Sequence, residues 1–88
     1  MKTIVITGST RGIGYGLAEQ FLLRESQVVI CGRTQAAVDE ALGNLSKNNP
    51  PDQILGLTCD MRDYHQVENL FQRSLDHFGK VDIWINNA

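Results

Sequence analysis

The apolar residues of this chain form short continuous runs that alternate with longer segments in which they recur every three or four positions. Residues 3–7 (TIVIT) and 28–31 (VVIC) are apolar or β-branched throughout. Such runs are typical of strands that are covered on both faces of a sheet. Residues 54–59 and 81–85 predict a third and a fourth strand.

Helical spacing of apolar residues fills the segments between these strands. The apolar stripes of the three predicted helices run over residues 13–22, 38–45 and 67–78. Thr34 and Asp63 are expected to cap the second and third helices at their amino ends, because their side chains can accept hydrogen bonds from backbone N–H groups. Gly79 suits a left-handed cap at the end of the third helix. Residues 46–52 contain two prolines and predict a loop.

The strand and helix alternation predicts a single α/β domain with a doubly wound parallel sheet. The chain has 88 residues, a net charge of -2, and 42% hydrophobic and 20% charged residues. This composition is typical of a globular domain, and the absence of a basic cluster argues against nucleic acid as a partner. The sequence shows no signal-peptide pattern and no membrane span, so we expect a cytoplasmic protein.

Two cysteines, Cys31 and Cys59, lie in apolar runs. They are too few for a disulfide framework, and no spacing of Cys and His indicates a metal site. We therefore expect two buried, reduced thiols.

A glycine-rich loop, with Gly8, Gly12 and Gly14, joins the first strand to the first helix. Dinucleotide binding uses such a loop because glycines permit a sharp turn, close approach of a pyrophosphate and close packing of helix on strand. A tight turn that binds no ligand is the alternative interpretation. A P-loop is excluded, because no Gly-Lys-Ser/Thr follows at the required position.

Three signatures resemble those of the short-chain dehydrogenase/reductase family in its classical form. They are TGxxxGxG at residues 7–14, the acidic Asp60 after the third strand, and the Asn-Asn-Ala of residues 86–88, which matches the start of the family's NNAG. The resemblance implies a Rossmann-type sheet of strand order 3-2-1-4. It covers residues 1–88 as a partial NAD(P)-binding domain, truncated after the fourth strand with its C-terminal half absent.

The resemblance also implies a set of residues around the cofactor. Ser9, Thr10 and Ile13 would lie along the pyrophosphate and adenosine ribose, Asp60 and Met61 at the adenine, and Asn87 and Ala88 near the nicotinamide ribose. The complete candidate set is Gly8, Ser9, Thr10, Arg11, Gly12, Ile13, Gly14, Arg33, Thr34, Asp60, Met61, Asn87 and Ala88. As alternatives, Asp60 could simply begin a turn, and Asn86 and Asn87 could bond neighbouring backbone.

The end of the second strand bears on the choice of dinucleotide. NAD-binding versions of this fold place an acidic residue there for the ribose 2′-hydroxyl. Here the position reads Cys31-Gly32-Arg33-Thr34, without a carboxylate. Arg33 can bind a 2′-phosphate, and Arg11 lies on the same side in family members that use NADP. We therefore expect NADP rather than NAD, with two solvated surface arginines as the alternative.

By resemblance, the complete enzyme is an oxidoreductase, and a homo-oligomer, that transfers hydride between the nicotinamide and a small carbonyl or alcohol substrate. The family's catalytic serine and YxxxK pair are not supplied here, since Tyr15 and Tyr64 are each followed at the fourth place by glutamate. The 88 residues alone are therefore expected to be inactive. Residues 82–88 (DIWINNA) resemble the corresponding segment of chlorophyll b reductases within the family. A non-catalytic dinucleotide-binding module and a non-functional fragment are the alternatives.

Overall fold

A computed structural model describes residues 1–87, in which strands and helices alternate as the sequence predicts. The elements are β1 (Thr3–Ile6), α1 (Gly12–Leu23), β2 (Gln27–Gly32), α2 (Gln35–Leu45), β3 (Ile54–Thr58), α3 (Tyr64–Phe78) and β4 (Ile83–Ile85). A short 3₁₀ turn, Pro51–Gln53, lies in the proline-containing loop before β3. The second helix begins earlier than its apolar stripe, directly after Thr34.

The four strands form one parallel sheet in the order β3-β2-β1-β4. This confirms the predicted doubly wound topology, in which β1 lies between β2 and β4. Because all four strands are parallel, the loops that follow their carboxyl ends meet at one edge of the sheet. The glycine loop, the start of α2 and the segment after β3 are thereby brought together.

Three strands are shorter than their apolar runs predict. β1 stops at Ile6 because the chain turns at Gly8, although the Thr7 N–H still donates to the Ile85 carbonyl at 3.0 Å. β3 stops before Cys59, whose N–H donates to the Gly32 carbonyl at 2.9 Å. β4 begins only at Ile83. At the ends of β1 and β3, hydrogen bonding to the neighbouring strand thus continues beyond the regular ladder.

Side chains from the two faces of the sheet form two separate cores. Ile4, Ile6, Val28 and Ile30 point to the face that α1 and α2 cover, and each is 1% exposed or less. Alternate residues of the same strands, Val5, Val29 and Cys31, join Cys59 and Leu70 on the other face. Alternation of this kind follows from the two-residue repeat of a strand. Burial on both faces explains why the central runs are continuously apolar.

The predicted helix caps are confirmed. The Thr34 side chain accepts a hydrogen bond from the Ala37 N–H at 3.2 Å, and the Asp63 side chain accepts from the N–H groups of His65 and Gln66. Gly79 ends α3 with φ of 82°, in the left-handed region where glycine carries no steric penalty. These local signals fix where the helices start and stop.

Two aromatic residues, on α3 and β4, are only partly buried. Phe71, which the apolar stripe of α3 places in the core, is 44% exposed, and Trp84 of β4 is only half-buried. The two rings contact each other with centroids 6.3 Å apart. The indole of Trp84 packs against the second core but stays partly exposed, and among the described strands β4 is hydrogen-bonded on one side only.

Candidate functional site

The glycine loop has the backbone geometry that its three glycines were predicted to allow. Gly8 and Gly12 have φ values of 59° and 65°, in the left-handed region. Gly14 instead provides close packing: a Cβ at this position would lie 2.6 Å from the Gly8 carbonyl oxygen and 2.6 Å from Asn87 Nδ2. Larger residues at Gly14 would push α1 away from the loop. The first helical turn therefore lies directly against the end of β1.

Ser9 lies beneath the loop and not on its surface. The residue is fully buried, and its hydroxyl donates to the Ile6 carbonyl at 2.6 Å and accepts from the Cys31 N–H at 3.0 Å. Its own N–H donates to the Cys31 carbonyl. The side chain of Ser9 is therefore engaged by β1 and β2, and its expected contact with a pyrophosphate stays a prediction.

The amino end of α1 differs from those of the other two helices. Its N-cap residue, Arg11, makes no side-chain capping bond within residues 1–87, and the first turn contains no acidic residue. Uncapped N–H groups and the helix dipole make such an end suited to an anion. Ile13, in this first turn, is 77% exposed. An isoleucine with this exposure is available to contact a ligand lying across the loop.

A cleft of about 880 Å³ opens at the carboxyl edge of the sheet beside the glycine loop. Seven predicted site residues line it, namely Gly8, Thr10, Arg11, Arg33, Thr34, Asp60 and Met61. Gly32, Ala37, Cys59 and Arg62 also line it and were not among the predicted binding residues. Arg62 could have been found from its place two residues after Asp60, and Ala37 from its place in the first turn after the Thr34 cap.

Positive charge dominates the walls of this cleft, although the chain as a whole carries a net charge of -2. Arg11, Arg33 and Arg62 line it, together with a single acidic residue, Asp60. Hydrogen bonds from Arg62, together with the nearby charges of Arg62 and Arg33, hold the pKa of Asp60 well below its usual range. The carboxylate is therefore ionised at neutral pH, and the cleft has an excess of positive charge.

Thr10 occupies the space beside Gly32 at the end of β2. A Cβ at Gly32 would lie 2.6 Å from Thr10 Cγ2 and 3.1 Å from Thr10 Oγ1. An acidic side chain at position 32 would thus project into the cleft beside the glycine loop. Gly32 keeps this place free of negative charge, and Arg33 follows it directly.

The two asparagines after β4 have backbone and local partners. Asn87 Nδ2 donates to the Gly8 carbonyl at 3.1 Å, and the Asn87 N–H donates to Thr7 Oγ1 at 2.9 Å. Asn86 Oδ1 accepts a hydrogen bond from the Trp84 indole N–H. Asn87 therefore fixes the glycine loop to the end of β4. Ala88, also predicted at the site, lies outside the described residues.

A second depression, of about 590 Å³, lies between α3 and β4. Its apolar walls are Val67, Phe71 and Trp84, and its polar residues are Glu68, Asn69 and Gln72. We call it the α3–β4 groove. None of the predicted site residues lines it. His65 and His77 are both exposed on α3.

The family model for short chain dehydrogenases matches residues 2–88. The chain belongs to this family. It is 42% identical over 85 residues to a protein of Oryza sativa subsp. japonica named chlorophyll(ide) b reductase NOL, chloroplastic, covering 97% of this chain and 25% of the relative. It is 34% identical over 87 residues to the 15-hydroxyprostaglandin dehydrogenase [NAD(+)] of Bos taurus, covering 99% of this chain and 33% of the relative.

Solved structures support the same assignment. A short chain dehydrogenase from Bacillus anthracis str. 'Ames Ancestor' has a TM-score of 0.89 and 36% sequence identity over 99% of this chain and 34% of the other. The chain thus spans between a quarter and a third of the length of these relatives. The resemblance to this family and to its chlorophyll b reductases is confirmed, as is the Rossmann-type fold.

Members of this family are oxidoreductases, and the fold they share binds nicotinamide dinucleotides. Within residues 1–87, no helix combines the length and the apolar character needed to cross a membrane.

Proposed function

We propose that the chain is the NADP-binding N-terminal part of an oxidoreductase that transfers hydride between a nicotinamide and a carbonyl or alcohol carbon. The observation that carries this proposal is the cleft beside the glycine loop, with three arginines and no acidic residue at position 32. A 2′-phosphate requires cations where a free 2′-hydroxyl requires an acceptor. Arg33 supplies a planar guanidinium that can bind phosphate through two hydrogen bonds.

The remaining candidate residues suit the other parts of the dinucleotide. Gly8, Thr10, Gly12 and the uncapped amino end of α1 offer backbone and polar contacts to the pyrophosphate, and exposed Ile13 offers an apolar one. A nicotinamide bound here would donate hydride to a carbonyl carbon or accept it from an alcohol carbon.

At the adenine end, Asp60 and Met61 line the cleft, and Thr34 lies at the start of α2 beside Arg33. Asn87 reaches the site indirectly, through its hydrogen bond to the Gly8 carbonyl, and we propose that Asn87 and Ala88 adjoin the nicotinamide ribose. Gly14 contributes by allowing α1 to pack against the loop.

We expect the 88 residues alone to be catalytically inactive. Neither tyrosine has a lysine four residues later, so the chain lacks the proton donor that the developing alkoxide requires. NADPH oxidation by the purified chain in the presence of a carbonyl substrate, above a control without protein, would contradict this. The substrate, a homo-oligomeric complete enzyme and a cytoplasmic location stay predictions; reduced Cys31 and Cys59 are consistent with the last of these.

The proposal is tested by titrating NADPH and NADH into the chain and into an Arg33→Ala variant. Loss of the guanidinium should weaken NADPH binding by about 1.5 to 3 kcal/mol, as for a hydrogen bond to a charged group. NADH binding should change little, because NADH has no 2′-phosphate. Isothermal titration calorimetry measures both affinities.

Arg24→Ala is the matched control, since Arg24 is an exposed arginine at the opposite end of α1. This variant should bind both dinucleotides as the parent chain does. Equal losses for NADPH and NADH in Arg33→Ala would show that Arg33 is structural. A parent chain that prefers NADH would contradict the assignment to NADP.

A further inference from the structure

The closest charged contact in the cleft joins Arg62 to Asp60. The Arg62 Nε donates to Asp60 Oδ1 at 3.0 Å and a terminal nitrogen donates to Asp60 Oδ2 at 2.9 Å. The Arg62 backbone N–H also donates to Oδ1, at 3.0 Å. Both carboxylate oxygens are thus bound by one residue in the bidentate geometry that makes arginine pairs specific. This pairing orients the carboxylate at the carboxyl end of β3.

Without this partner, the Asp60 carboxylate would be an unpaired negative charge in a cleft that we propose receives a phosphate. It is close enough to Arg33 for the charge of that arginine to lower the Asp60 pKa. The Asp60 side chain retains 31% exposure and the Arg62 side chain 75%, so the pair lies at the rim, where solvent weakens charge interactions without abolishing them. An unpaired carboxylate here would attract the Arg33 guanidinium and repel a phosphate.

We infer that Arg62 is a specificity-determining residue, which favours a 2′-phosphorylated adenosine by binding Asp60 and leaving Arg33 free for the phosphate. This inference rests on the proposed function, because it assumes that the cleft binds the adenosine half of a dinucleotide. It assigns Arg62 a positioning role that acts through Asp60. A purely structural role in the turn would affect phosphorylated and unphosphorylated ligands equally.

Adenosine 2′,5′-bisphosphate and adenosine 5′-monophosphate are suitable probes, since they differ by the 2′-phosphate alone. The discrimination ratio is the Kd of the monophosphate divided by that of the bisphosphate, each measured by calorimetry with the chain. In Arg62→Ala this ratio should fall by about threefold to tenfold, the effect of one unpaired charge near a partly solvated site. The fall should shrink as salt is raised.

Removing the carboxylate as well should reverse the effect. The double variant Asp60→Asn, Arg62→Ala should recover the parent ratio to within about twofold, because no negative charge is left unpaired. Arg62→Lys should recover part of it, since lysine keeps the charge and loses the bidentate geometry. Arg73→Ala, at an exposed arginine of α3, is the control and should leave the ratio unchanged.

The outcomes separate this inference from the proposed function. If the parent chain discriminates and Arg62→Ala keeps its ratio, the inference is wrong and the NADP proposal stands. If the ratio falls and the double variant does not recover it, Arg62 contacts the phosphate itself and does not act through Asp60, which also overturns the inference. If the parent chain does not discriminate, the proposed function fails first. Circular dichroism spectra matching the parent establish that each variant is folded.

Discussion

The cleft at the carboxyl edge and the α3–β4 groove are both open depressions of several hundred Å³, but their chemistry is opposite. The cleft combines three arginines, a glycine loop and an uncapped helix end. The groove has the rings of Phe71 and Trp84 as its most prominent features and no cationic residue among its walls. Volume alone therefore does not identify the ligand site. The convergence of anion-binding groups in the cleft does.

The difference arises from where each depression lies in the sheet. The cleft lies beyond the carboxyl ends of β1, β2 and β3, where parallel topology brings three loops together. The groove lies beside β4, which has one hydrogen-bonded neighbour among the strands of residues 1–87 and whose residues are all half-buried. Because the apolar residues of the groove contribute to packing, substitutions there should lower the free energy of unfolding. Substitutions in the cleft should instead change dinucleotide affinity.

The largest expected effect is on stability, from Trp84→Ala. Removing the indole eliminates its contact with Phe71 and its packing against the second core, and should cost about 3 kcal/mol of unfolding free energy. The NADPH affinity of the folded variant should stay within about twofold of the parent, because Trp84 does not line the cleft. Urea unfolding and calorimetry measure the two quantities. A marked loss of NADPH affinity in the folded variant would place the groove in the binding site.

A change of cofactor preference is expected from Gly32→Asp combined with Thr10→Ser. The new carboxylate would face the 2′-phosphate and should cost about 2 kcal/mol of NADPH affinity, while it offers an acceptor to the free ribose of NADH. Thr10→Ser removes the methyl group that would lie 2.6 Å from the new Cβ. Thr10→Ser alone is the control and should retain the NADPH preference. A double variant that still prefers NADPH would show that the 2′-phosphate lies elsewhere.

The buried thiol of Cys31, at the end of β2, should make stability depend on alkaline pH. Burial raises the pKa of the Cys31 thiol to about 11, so in this range the folded chain keeps a proton that the unfolded chain loses. The contribution of this thiol to the free energy of unfolding is fully present below its ordinary pKa. The free energy of unfolding should therefore fall by about 2 kcal/mol as the pH rises from about 9 to about 11. Denaturant unfolding at several pH values measures the slope, with Cys31→Ala as the control. Identical slopes for parent and variant would contradict the burial argument.

The smallest effect is expected from Arg11→Ala. This arginine is exposed at the uncapped end of α1, where solvent screens its charge. Its removal should weaken NADPH binding by about 0.5 to 1 kcal/mol, in the same direction as Arg33→Ala and less strongly. A loss as large as that of Arg33→Ala would show that both arginines bind the phosphate directly.

Much of the fold could be predicted because local signals and topology agree. The continuous apolar runs of β1 and β2, the caps at Thr34 and Asp63, and Gly79 each have a physical cause within a few residues of sequence. The half-buried state of Trp84 could not be predicted in this way. A strand in a doubly wound sheet has the same apolar pattern at its centre and at its edge, and only the order of strands decides which side chains are covered.

The glycines of the site could be predicted because backbone geometry requires glycine at these positions. The hydrogen-bond partners of its side chains were less predictable. Gly8, Gly12 and Gly14 follow from turn and packing requirements that the spacing reveals. The inward orientation of Ser9 was not predictable, because its hydroxyl donates to the Ile6 carbonyl while the flanking Gly8 and Thr10 are only partly buried. The position of Arg62 two residues after Asp60 could have indicated it, but the bidentate pairing of the two side chains is seen only in the structure.

The central claim is that the cleft, and not the α3–β4 groove, binds the dinucleotide. Titration of NADPH into the ¹⁵N-labelled chain, followed by amide and indole resonances, tests this most directly. The account predicts chemical-shift changes across residues 8–14, 32–37 and 59–62, with the indole N–H of Trp84 and the amides of Val67 and Phe71 unaffected. Shifts confined to α3 and the Trp84 indole, with the glycine loop unchanged, would contradict it.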